Sequence, residues 1–384
     1  MKITVAGAGA MGCRFGAALF EAGHQVTLLD GWREHVTAVN EGGLRVTDAT
    51  GTRVLPVPAV LFSPPHHPSL NPPRHPLPDT AHQVPAPANP ADLVIVFAKA
   101  TGTGAVAAGA AAMGAIGPST LVLTLQNGLG NVEALLAHVP ADRLLAGTTT
   151  LGTELLGPGH IRALGSGETV LGPLPGDFAP APGPPDASGS NAPGAAATGA
   201  TRTGATTTEP VATGATATEA AELVASTLAE AGISVRVSPN ALEVVWAKVA
   251  FNCVMNTLCS IASIPVSALA RYDGFDALAS SVLDEIAAVA RAEGVIVDTA
   301  AALRLMRAQF DPSASGDHLA SMLQDLMNGR PTEIAQLNGA IAARAASRGI
   351  DAPVNAAITR LVGLLEATWT ARVNRLHPEQ ASPL

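Results

Sequence analysis

The feature that most restricts the fold of this chain is a glycine-rich turn, GAGAMG, at residues 7–12. It follows directly after an apolar run at residues 3–6 and opens an amphipathic segment at residues 13–22. A GxGxxG turn between a strand and a helix is typical of a dinucleotide-binding unit, because its glycines allow a tight turn, close approach of a pyrophosphate and close helix packing. The helix N-terminus then offers free N–H groups to the phosphates. The residues predicted to bind the cofactor are Gly7, Ala8, Gly9, Ala10, Met11 and Gly12.

The first part of the chain alternates short apolar runs with helical segments. The runs at 3–6, 25–29, 93–98 and 121–125 are almost continuously apolar, as expected for buried parallel strands. Alternating strands and helices predict a doubly wound sheet. We therefore expect an α/β Rossmann-type dinucleotide-binding domain over residues 1–175.

The pattern changes to apolar residues at helical spacing from residue 219 onward, with only 234–237 resembling a strand. Glycines at 232, 294 and 349 stand at plausible helix ends. This pattern predicts an all-α domain over residues 219–376. The helical segments span 219–231, 240–262, 275–294, 298–309, 317–328, 331–348 and 353–372.

Two stretches of biased composition interrupt this plan, and together they hold 16 of the chain's 30 Pro. Residues 62–90 are crowded with proline, so neither helix nor sheet can run through them. Residues 176–218 consist mainly of Ala, Thr, Gly and Pro and are predicted to be a low-complexity linker or insertion. The first stretch is interpreted as a solvated loop, with a metal site as the alternative. The histidines that such a site would use are His66, His67, His75 and His82.

Charge and composition exclude several classes of partner. The net charge of −9 argues against binding to nucleic-acid phosphates and to an acidic membrane surface. Three cysteines, Cys13, Cys253 and Cys259, are too few for a disulfide framework, and their spacing suggests no metal site. We expect a cytoplasmic protein with no metal, no nucleic-acid partner and no membrane partner.

The residue at the end of the second strand bears on which dinucleotide binds. Asp30 stands 18 residues after Gly12, where a carboxylate suits the ribose 2′-OH of NAD and repels the 2′-phosphate of NADP. Arg33 is close enough to reverse this preference if it folds back over the adenosine. The predicted cofactor is therefore NAD(H) or NADP(H), with Asp30 and Arg33 both near it.

Polar residues follow two of the predicted strands. Lys99 ends the run LVIVFA, and Asn127 begins the sequence NGLG after LVLTL. Ligands of such sheets bind at the carboxyl ends of the strands, so both side chains are candidates for the crevice. The alternative for each is a turn residue that satisfies loop backbone.

A third group lies on one predicted helix. Lys248, Asn252 and Asn256 recur at intervals of four residues, so they share one helix face in otherwise apolar surroundings. Polar groups on a buried face cost free energy unless they are paired or used. A desolvated lysine also has a lowered pKa, which suits a general acid near neutral pH. The alternative is a polar stripe that faces solvent.

Ser321 and Glu333 form a weaker pair of candidates. Ser321 begins the sequence SMLQD, and Glu333 follows Pro331 at a predicted helix start. By local sequence alone, Glu333 could equally be an acidic residue in the first turn of a helix, and Ser321 an ordinary helix residue.

At these motifs the chain resembles the ketopantoate reductase (2-dehydropantoate 2-reductase) family. The segments that carry the resemblance occur in the family's order and cover nearly the whole chain outside the two biased stretches. They are MKITVAGAGAMG, LQNGLGNVEAL, AGTTT, WAKVAFNCVMNTL, SMLQDL and PTEIAQLNGAI. The resemblance implies a Rossmann domain and an all-helical domain like that of 6-phosphogluconate dehydrogenase. It further implies NAD(P)H-dependent reduction of a 2-keto acid, the main member making (R)-pantoate for pantothenate and coenzyme A synthesis.

The resemblance also implies roles for individual residues. Lys248 would donate the proton to the keto oxygen, and Asn127 would contact both cofactor and substrate. Asn252 and Asn256 would bind substrate hydroxyl and carboxylate groups. The remaining implied roles are a carboxylate contact for Ser321, a place at the cofactor for Lys99, and contact with the nicotinamide ribose and support of the lysine for Glu333.

Two departures from the family pattern concern specificity. Asp30 stands where NADPH-using members commonly place a basic residue, and Val266 stands where the pattern often has a substrate-binding asparagine. NAD-dependent relatives such as D-mandelate dehydrogenases are therefore an alternative. A second alternative is a non-catalytic dinucleotide-binding sensor, which would leave the Lys248 face unexplained. The helical domain could support a homodimer.

Overall fold

The computed structural model describes residues 1–62, 90–99, 102–176, 178, 216–311 and 319–371. The biased stretches at 62–90 and 176–218 lie almost wholly outside the described residues, and so does the end of the predicted helical domain, 372–376. The interpretation of the first stretch as a loop or metal site also lies outside them, since it concerned His66, His67, His75 and His82.

Twelve strands are found among the described residues, and they form two sheets. In chain order they are β1 (Lys2–Ala6), β2 (Gln25–Asp30), β3 (Leu44–Asp48), β4 (Gly51–Leu55), β5 (Ala59–Leu61), β6 (Leu93–Val96), β7 (Leu121–Thr124), β8 (Leu144–Thr149), β9 (Gly152–Gly157), β10 (His160–Leu164), β11 (Thr169–Pro173) and β12 (Val235–Val237).

The larger sheet has eight strands in the order β12-β11-β8-β7-β6-β1-β2-β5. All neighbours in it are parallel except β11 and β8. Strand order reverses direction at β1, where β2 lies on one side and β6 on the other, so a crevice opens at the carboxyl end of β1. The four strands predicted from apolar runs are thereby confirmed.

The smaller sheet has the order β4-β3-β10-β9 and mixes antiparallel and parallel pairs. It packs against α1 (Ala10–Glu21), the helix that follows the glycine-rich turn. Arg14 on α1 joins the two by donating to the carbonyl oxygens of Leu164 at 3.0 Å and Gly165 at 3.1 Å. The strands of the smaller sheet are short and partly polar, and the sequence patterns did not predict them.

The remaining helices lie on both faces of the large sheet and in the second domain. They are α2 (Arg33–Gly42), α3 (Thr103–Ala112), α4 (Asn131–Leu136), α5 (Ala217–Glu230), α6 (Ala241–Ala262), α7 (Phe275–Ala292), α8 (Thr299–Ala308), α9 (Ser321–Met327), α10 (Asn338–Ser347) and α11 (Pro353–Thr368). Short 3₁₀ helices occur at Ala141–Arg143, Val266–Arg271, Ile334–Gln336 and Trp369–Ala371.

The large sheet is buried on both faces because alternate residues of each strand enter different cores. On β6, Leu93 and Ile95 belong to a cluster that includes α1 and α5. Val94 and Val96 belong to a second cluster formed with α6, α7, α10 and α11. The helical domain therefore packs directly on one face of the sheet, mainly through α6.

Helix α6 is the central helix of this second core. Asn240 caps its N-terminus by accepting a hydrogen bond from the Leu242 N–H at 3.0 Å. By length and composition it could cross a membrane, but 61% of its most apolar window is buried inside the protein, as expected for a core helix. Gly232, Gly294 and Gly349 all have positive φ after their helices, which confirms the predicted helix ends.

The boundary of the helical domain differs from the prediction of 219. Helix α5 packs on the large sheet, and strand β12 is the edge strand of that sheet, pairing with β11 in parallel. Val224 and Leu228 of α5 belong to the same core as α1. Helical periodicity alone cannot say which surface a helix covers, and here it grouped α5 with the wrong neighbours.

The predicted helix at 331–348 is interrupted. Only Ile334–Gln336 forms a 3₁₀ turn, and the α-helix begins at Asn338. The Gln336 carbonyl accepts a hydrogen bond from the Leu129 N–H at 2.8 Å, so it serves the first domain and not a continuing helix. Glu333 therefore lies in a turn before the helix, and the alternative that it is an acidic residue in the first turn of an α-helix does not hold.

Candidate functional site

The glycine-rich turn at 7–12 lies at the carboxyl end of β1. Gly7 has a φ of +99°, and a Cβ added to it would lie 2.4 Å from the backbone nitrogen of Ala98. A Cβ on Gly12 would lie 2.0 Å from the Gly7 carbonyl oxygen, whereas a Cβ on Gly9 would meet nothing within 4 Å. The turn is closely packed at its two ends and open in its middle, where a pyrophosphate would need room.

The N-terminus of α1 faces this open space. The Cys13 N–H makes the first intrahelical bond, to the Gly9 carbonyl at 2.9 Å. The N–H groups of Ala10, Met11 and Gly12 precede that bond, so helix geometry gives them no carbonyl partner within the helix. Such groups, together with the positive end of the helix dipole, bind phosphate.

The end of β2 lies beside the turn. The N–H groups of Gly7 and Ala8 both donate to the Leu29 carbonyl, at 2.8 and 3.2 Å. The next residue, Asp30, is half-buried, and one of its carboxylate oxygens accepts a hydrogen bond from the Trp32 N–H at 2.8 Å. The other carboxylate oxygen of Asp30 is the one that a ribose hydroxyl could use. Open space at Gly9, free N–H groups and this carboxylate together fit a nicotinamide dinucleotide.

Arg33 begins α2 and is half-buried. Its side chain makes no hydrogen bond or ion pair with any residue in the described ranges. The guanidinium is therefore available to a ligand.

Lys99 follows β6 and reaches across to the helical domain. Its ammonium donates to a carboxylate oxygen of Asp325 at 3.1 Å and to the carbonyl of Pro331 at 3.1 Å. Asp325 also pairs with Arg330 at 2.8 Å. Lys99 is half exposed, so the ion pair is accessible at the edge of the crevice.

Asn127, Glu333 and Asn252 are joined in a chain of hydrogen bonds. The Asn127 amide donates to a Glu333 carboxylate oxygen at 3.2 Å, and its oxygen accepts from the Asn252 amide at 3.4 Å. Burial raises the pKa of Glu333, while the Asn127 hydrogen bond and the charge of Lys99 lower it and Asp325 raises it. The three residues come from a strand-end loop, a 3₁₀ turn and α6.

Lys248 lies one turn before Asn252 on α6 and is mostly buried. Burial lowers its pKa from the ordinary value of 10.5. Its ammonium lies 5.6 Å from the centre of the Phe251 ring. Within the described ranges it makes no hydrogen bond or ion pair.

One implied role of Glu333 is not observed in this structure. Its carboxylate was expected to hold Lys248 in place, but no ion pair joins the two groups. The carboxylate contacts the Asn127 amide, because the turn that carries Glu333 docks against the loop after β7.

Asn256 and Ser321 meet at the far end of the same face. The Asn256 amide donates to the Ser321 hydroxyl at 3.2 Å. Ser321 is the first residue of α9 and is exposed. The spacing of four residues along α6 thus brings Lys248, Asn252 and Asn256 to one side, as predicted.

Asp325 is a site residue that the sequence reading did not single out. It lies four residues after Ser321 on α9, so both face the same side of that helix. The same spacing argument that identified the face of α6 would have found it.

Asn131 is a second missed residue. Its buried amide donates to the carbonyls of Asn127 at 3.0 Å and Gly128 at 3.3 Å, and its oxygen accepts from the Thr103 hydroxyl at 2.8 Å. Gln126 also bonds to that hydroxyl, at 2.7 Å. Local sequence carries no signal for this network, because it depends on how α3 and α4 pack.

Family comparison matches both domains. The model of the family "Ketopantoate reductase PanE/ApbA" matches residues 3–176. The model "Ketopantoate reductase PanE/ApbA C terminal" matches residues 240–366.

Individual relatives match over nearly their whole length. A 2-dehydropantoate 2-reductase of Lactococcus lactis is 29% identical over 97% of this chain and 100% of its own length. One from Halobacterium salinarum is 31% identical, over 95% of this chain and 99% of its own length. Among solved structures, D-mandelate dehydrogenase with NADH and anilino(oxo)acetate is 28% identical, with a TM-score of 0.76 over 96% of this chain and 100% of that one.

Proposed function

Since the chain belongs to the ketopantoate reductase family, we propose that it is an oxidoreductase that reduces 2-dehydropantoate to (R)-pantoate with a nicotinamide dinucleotide. This reaction belongs to the synthesis of pantothenate and coenzyme A. We infer a cytoplasmic location for it, in keeping with the low cysteine content.

The observation that carries the proposal is that polar residues from three parts of the chain meet at one face of α6. Lys248, Asn252 and Asn256 lie there at successive turns. Asn252 bonds to Asn127, and Asn256 bonds to Ser321, so that face meets two other elements of the chain. A sensor that only binds a dinucleotide needs the glycine-rich turn and would have no use for this arrangement.

Lys248 is proposed as the proton donor. Reduction of a 2-keto group places negative charge on the carbonyl oxygen, which an ammonium group stabilises and then protonates. Burial lowers the pKa of Lys248, so it releases its proton more readily near neutral pH than an exposed lysine does. A nicotinamide dinucleotide bound at the glycine-rich turn would supply the hydride.

The neutral polar residues are proposed to hold the substrate. Asn252, Asn256 and Ser321 offer amide and hydroxyl donors to its hydroxyl and carboxylate groups. Neutral donors bind a carboxylate without adding a second positive charge that would compete with Lys248 for it. Asn127, between Asn252 and Glu333, would contact both substrate and cofactor.

Glu333 and Lys99 are proposed to serve the cofactor. The Glu333 carboxylate, which Asn127 holds at one oxygen, would accept a hydrogen bond from the nicotinamide ribose. Lys99 would exchange its contact with Asp325 for one with the dinucleotide.

We further propose that NADH is preferred to NADPH. The half-buried Asp30 carboxylate at the end of β2 suits a ribose diol and repels a 2′-phosphate. Arg33 is the residue that would favour NADPH, since its side chain is not engaged elsewhere in the described ranges.

A D-mandelate-type dehydrogenase is the second candidate. The solved D-mandelate dehydrogenase with NADH has a high TM-score to this chain, and Val266 removes an amide that the family pattern often places at the substrate. An apolar side chain there would suit a bulkier 2-keto acid.

Steady-state kinetics with a small panel of 2-keto acids test these proposals. The panel comprises 2-dehydropantoate, benzoylformate and pyruvate, each with NADH and with NADPH, followed by nicotinamide absorbance. We expect the highest kcat/KM with 2-dehydropantoate and NADH. A higher value with benzoylformate would support the second candidate, and dinucleotide binding without turnover of any acid would support a sensor.

A further inference from the structure

The loop that carries Asn127 is anchored from within its own domain. This loop, residues 127–130, is followed directly by α4. Asn131, the first residue of that helix, donates to the carbonyls of Asn127 and Gly128 at 3.0 and 3.3 Å. The backbone beneath the Asn127 side chain is thereby fixed on one side.

The helical domain holds the same loop from the other side. The Leu129 N–H donates to the Gln336 carbonyl at 2.8 Å. Gly128, with a φ of +86°, approaches Gln336 so closely that a Cβ on it would lie 2.7 Å from the Gln336 carbonyl oxygen. The loop therefore lies at the contact between the two domains.

An ion pair also joins the two domains at Glu133, four residues after Leu129. Glu133 in the first turn of α4 pairs with Arg344 on α10 of the helical domain. Arg344 also pairs with Glu293, at the end of α7, at 2.6 Å. Glu293 in turn pairs with Arg348 at 2.8 Å.

The side chains of these four charged residues are largely buried. The side chain of Arg344 is 14% exposed, and that of Glu293 is 12% exposed. A cavity of about 30 Å³, which is lined by Glu133, Arg344, Glu293 and Trp246 among others, lies beside them. In such surroundings an ion pair is screened less by solvent and holds its geometry better than one on the surface.

We propose that the Glu133–Arg344 ion pair is a positioning contact for Asn127. By tying α4 to α10, it fixes the loop of residues 127–130 between the domains and so sets where the Asn127 amide lies relative to Glu333 and Asn252. This inference rests on the proposed function, in which Asn127 contacts substrate and cofactor.

Such a contact matters because a group that binds substrate and cofactor must be held accurately in position. A catalytic arrangement must be held to about 0.5 Å, and a displacement of about 1 Å can cost a hundredfold in rate. Asn127 already makes long hydrogen bonds, 3.2 Å to Glu333 and 3.4 Å to Asn252. A small movement of its backbone would therefore break one of them.

The test compares two variants that each remove one carboxylate from Arg344. Glu133→Gln weakens the contact to the loop, and Arg344 keeps Glu293. The control, Glu293→Gln, removes the partner of Arg344 that lies in the helical domain and leaves the Glu133–Arg344 pair between the domains. We expect Glu133→Gln to lower kcat with the preferred 2-keto acid about tenfold, or about 1.4 kcal/mol in activation free energy. Glu293→Gln should change kcat less than about twofold, even where it lowers the melting temperature as much or more.

A double-variant cycle decides whether Glu133 acts through Asn127. If it does, Asn127→Ala with Glu133→Gln will be no slower than Asn127→Ala alone. The proposal would be overturned if the losses of kcat in the two single variants multiply in the double variant. It would also be overturned if Glu133→Gln and Glu293→Gln lose kcat equally.

The outcome can be separated from that of the proposed function. If the wild-type protein reduces none of the 2-keto acids, the proposed function fails, and the same cycle is then measured by dinucleotide binding. Nicotinamide fluorescence gives the dissociation constant for NADH in each variant. If Glu133→Gln binds NADH more weakly than Glu293→Gln, and this difference disappears when Asn127 is replaced by Ala, the positioning role is still supported. Equal NADH binding in all variants would refute it.

Discussion

Burial moves the pKa values of the two ionisable groups at the centre of the site in opposite directions. It lowers that of Lys248 and raises that of Glu333, so each group is pushed towards its neutral form. For Lys248 this makes proton release easier. For Glu333 the Asn127 hydrogen bond and the charge of Lys99 oppose the effect of burial and favour the carboxylate.

Removing the Lys248 ammonium should separate chemistry from binding. In Lys248→Ala the proton donor is lost, and we expect kcat to fall by a factor of about 10² to 10⁴. The dissociation constant for NADH should change little, because the glycine-rich turn and Asp30 are untouched. Lys2→Ala, an exposed lysine outside the site, is the control. Turnover near that of the wild type in Lys248→Ala would contradict the assignment.

The pH dependence of reduction follows from the same residue. Because the protonated ammonium is the active form, kcat for reduction should fall as the pH rises through the pKa of Lys248, which burial holds below 10.5. In Lys248→Arg, whose guanidinium stays protonated, the fall should disappear from this range. A wild-type profile that stays flat up to pH 10.5 would be inconsistent with a buried lysine as the acid.

At the scale of elements, the sequence predicted the parts that local patterns encode. The four apolar runs became parallel strands, and α1 begins within the glycine-rich turn. The helix predicted at 331–348 did not form as one piece, because the Gln336 carbonyl bonds to Leu129 in the other domain. The smaller sheet was missed, since its strands are short and not uniformly apolar.

Two glycines of the turn should respond differently to the same change. Gly12→Ala places a Cβ 2.0 Å from the Gly7 carbonyl oxygen, so α1 must move and the free energy of unfolding should fall by about 2–3 kcal/mol. Gly9→Ala meets nothing within 4 Å, so its cost should be about 1 kcal/mol or less. Its Cβ would occupy the space proposed for the pyrophosphate, and NADH binding should weaken at least about tenfold.

Chemical denaturation and NADH titration of both variants measure these effects. The prediction fails if Gly9→Ala binds NADH as tightly as the wild type. It also fails if Gly12→Ala is as stable as the wild type.

At the scale of the whole molecule, the helical domain is held together around buried amides. Asn355 on α11 donates to Glu285 of α7 at 2.7 Å and accepts from Asn338 of α10 at 2.9 Å. The Asn338 amide also donates to the Cys253 carbonyl on α6, at 3.1 Å. One hydrogen-bond network thus joins the four helices α6, α7, α10 and α11.

Breaking this network should destabilise the molecule without touching the site. Asn355→Ala removes the side-chain acceptor of the buried Asn338 amide and one donor to Glu285, which keeps the N–H groups of Val354 and Asn355, at a cost of about 1–3 kcal/mol in all. We expect a loss of about 2 kcal/mol in the free energy of unfolding, measured by urea denaturation. Asn328→Ala, an exposed asparagine on the end of α9, should cost less than about 0.5 kcal/mol. A comparable loss in both variants would contradict this account.

The sequence by itself determined the dinucleotide-binding turn, the order of the domains and the shared face of Lys248, Asn252 and Asn256. These features depend on backbone preferences and on the 3.6-residue helical period, which act over a few residues. Only the tertiary structure decided that α5 covers the sheet and that Asn127 meets Glu333, 206 residues away. It likewise placed Asp325 on Lys99 and Arg344 between Glu133 and Glu293. Such contacts depend on how the two domains pack, and local residue preferences do not record which distant group will arrive at a given surface.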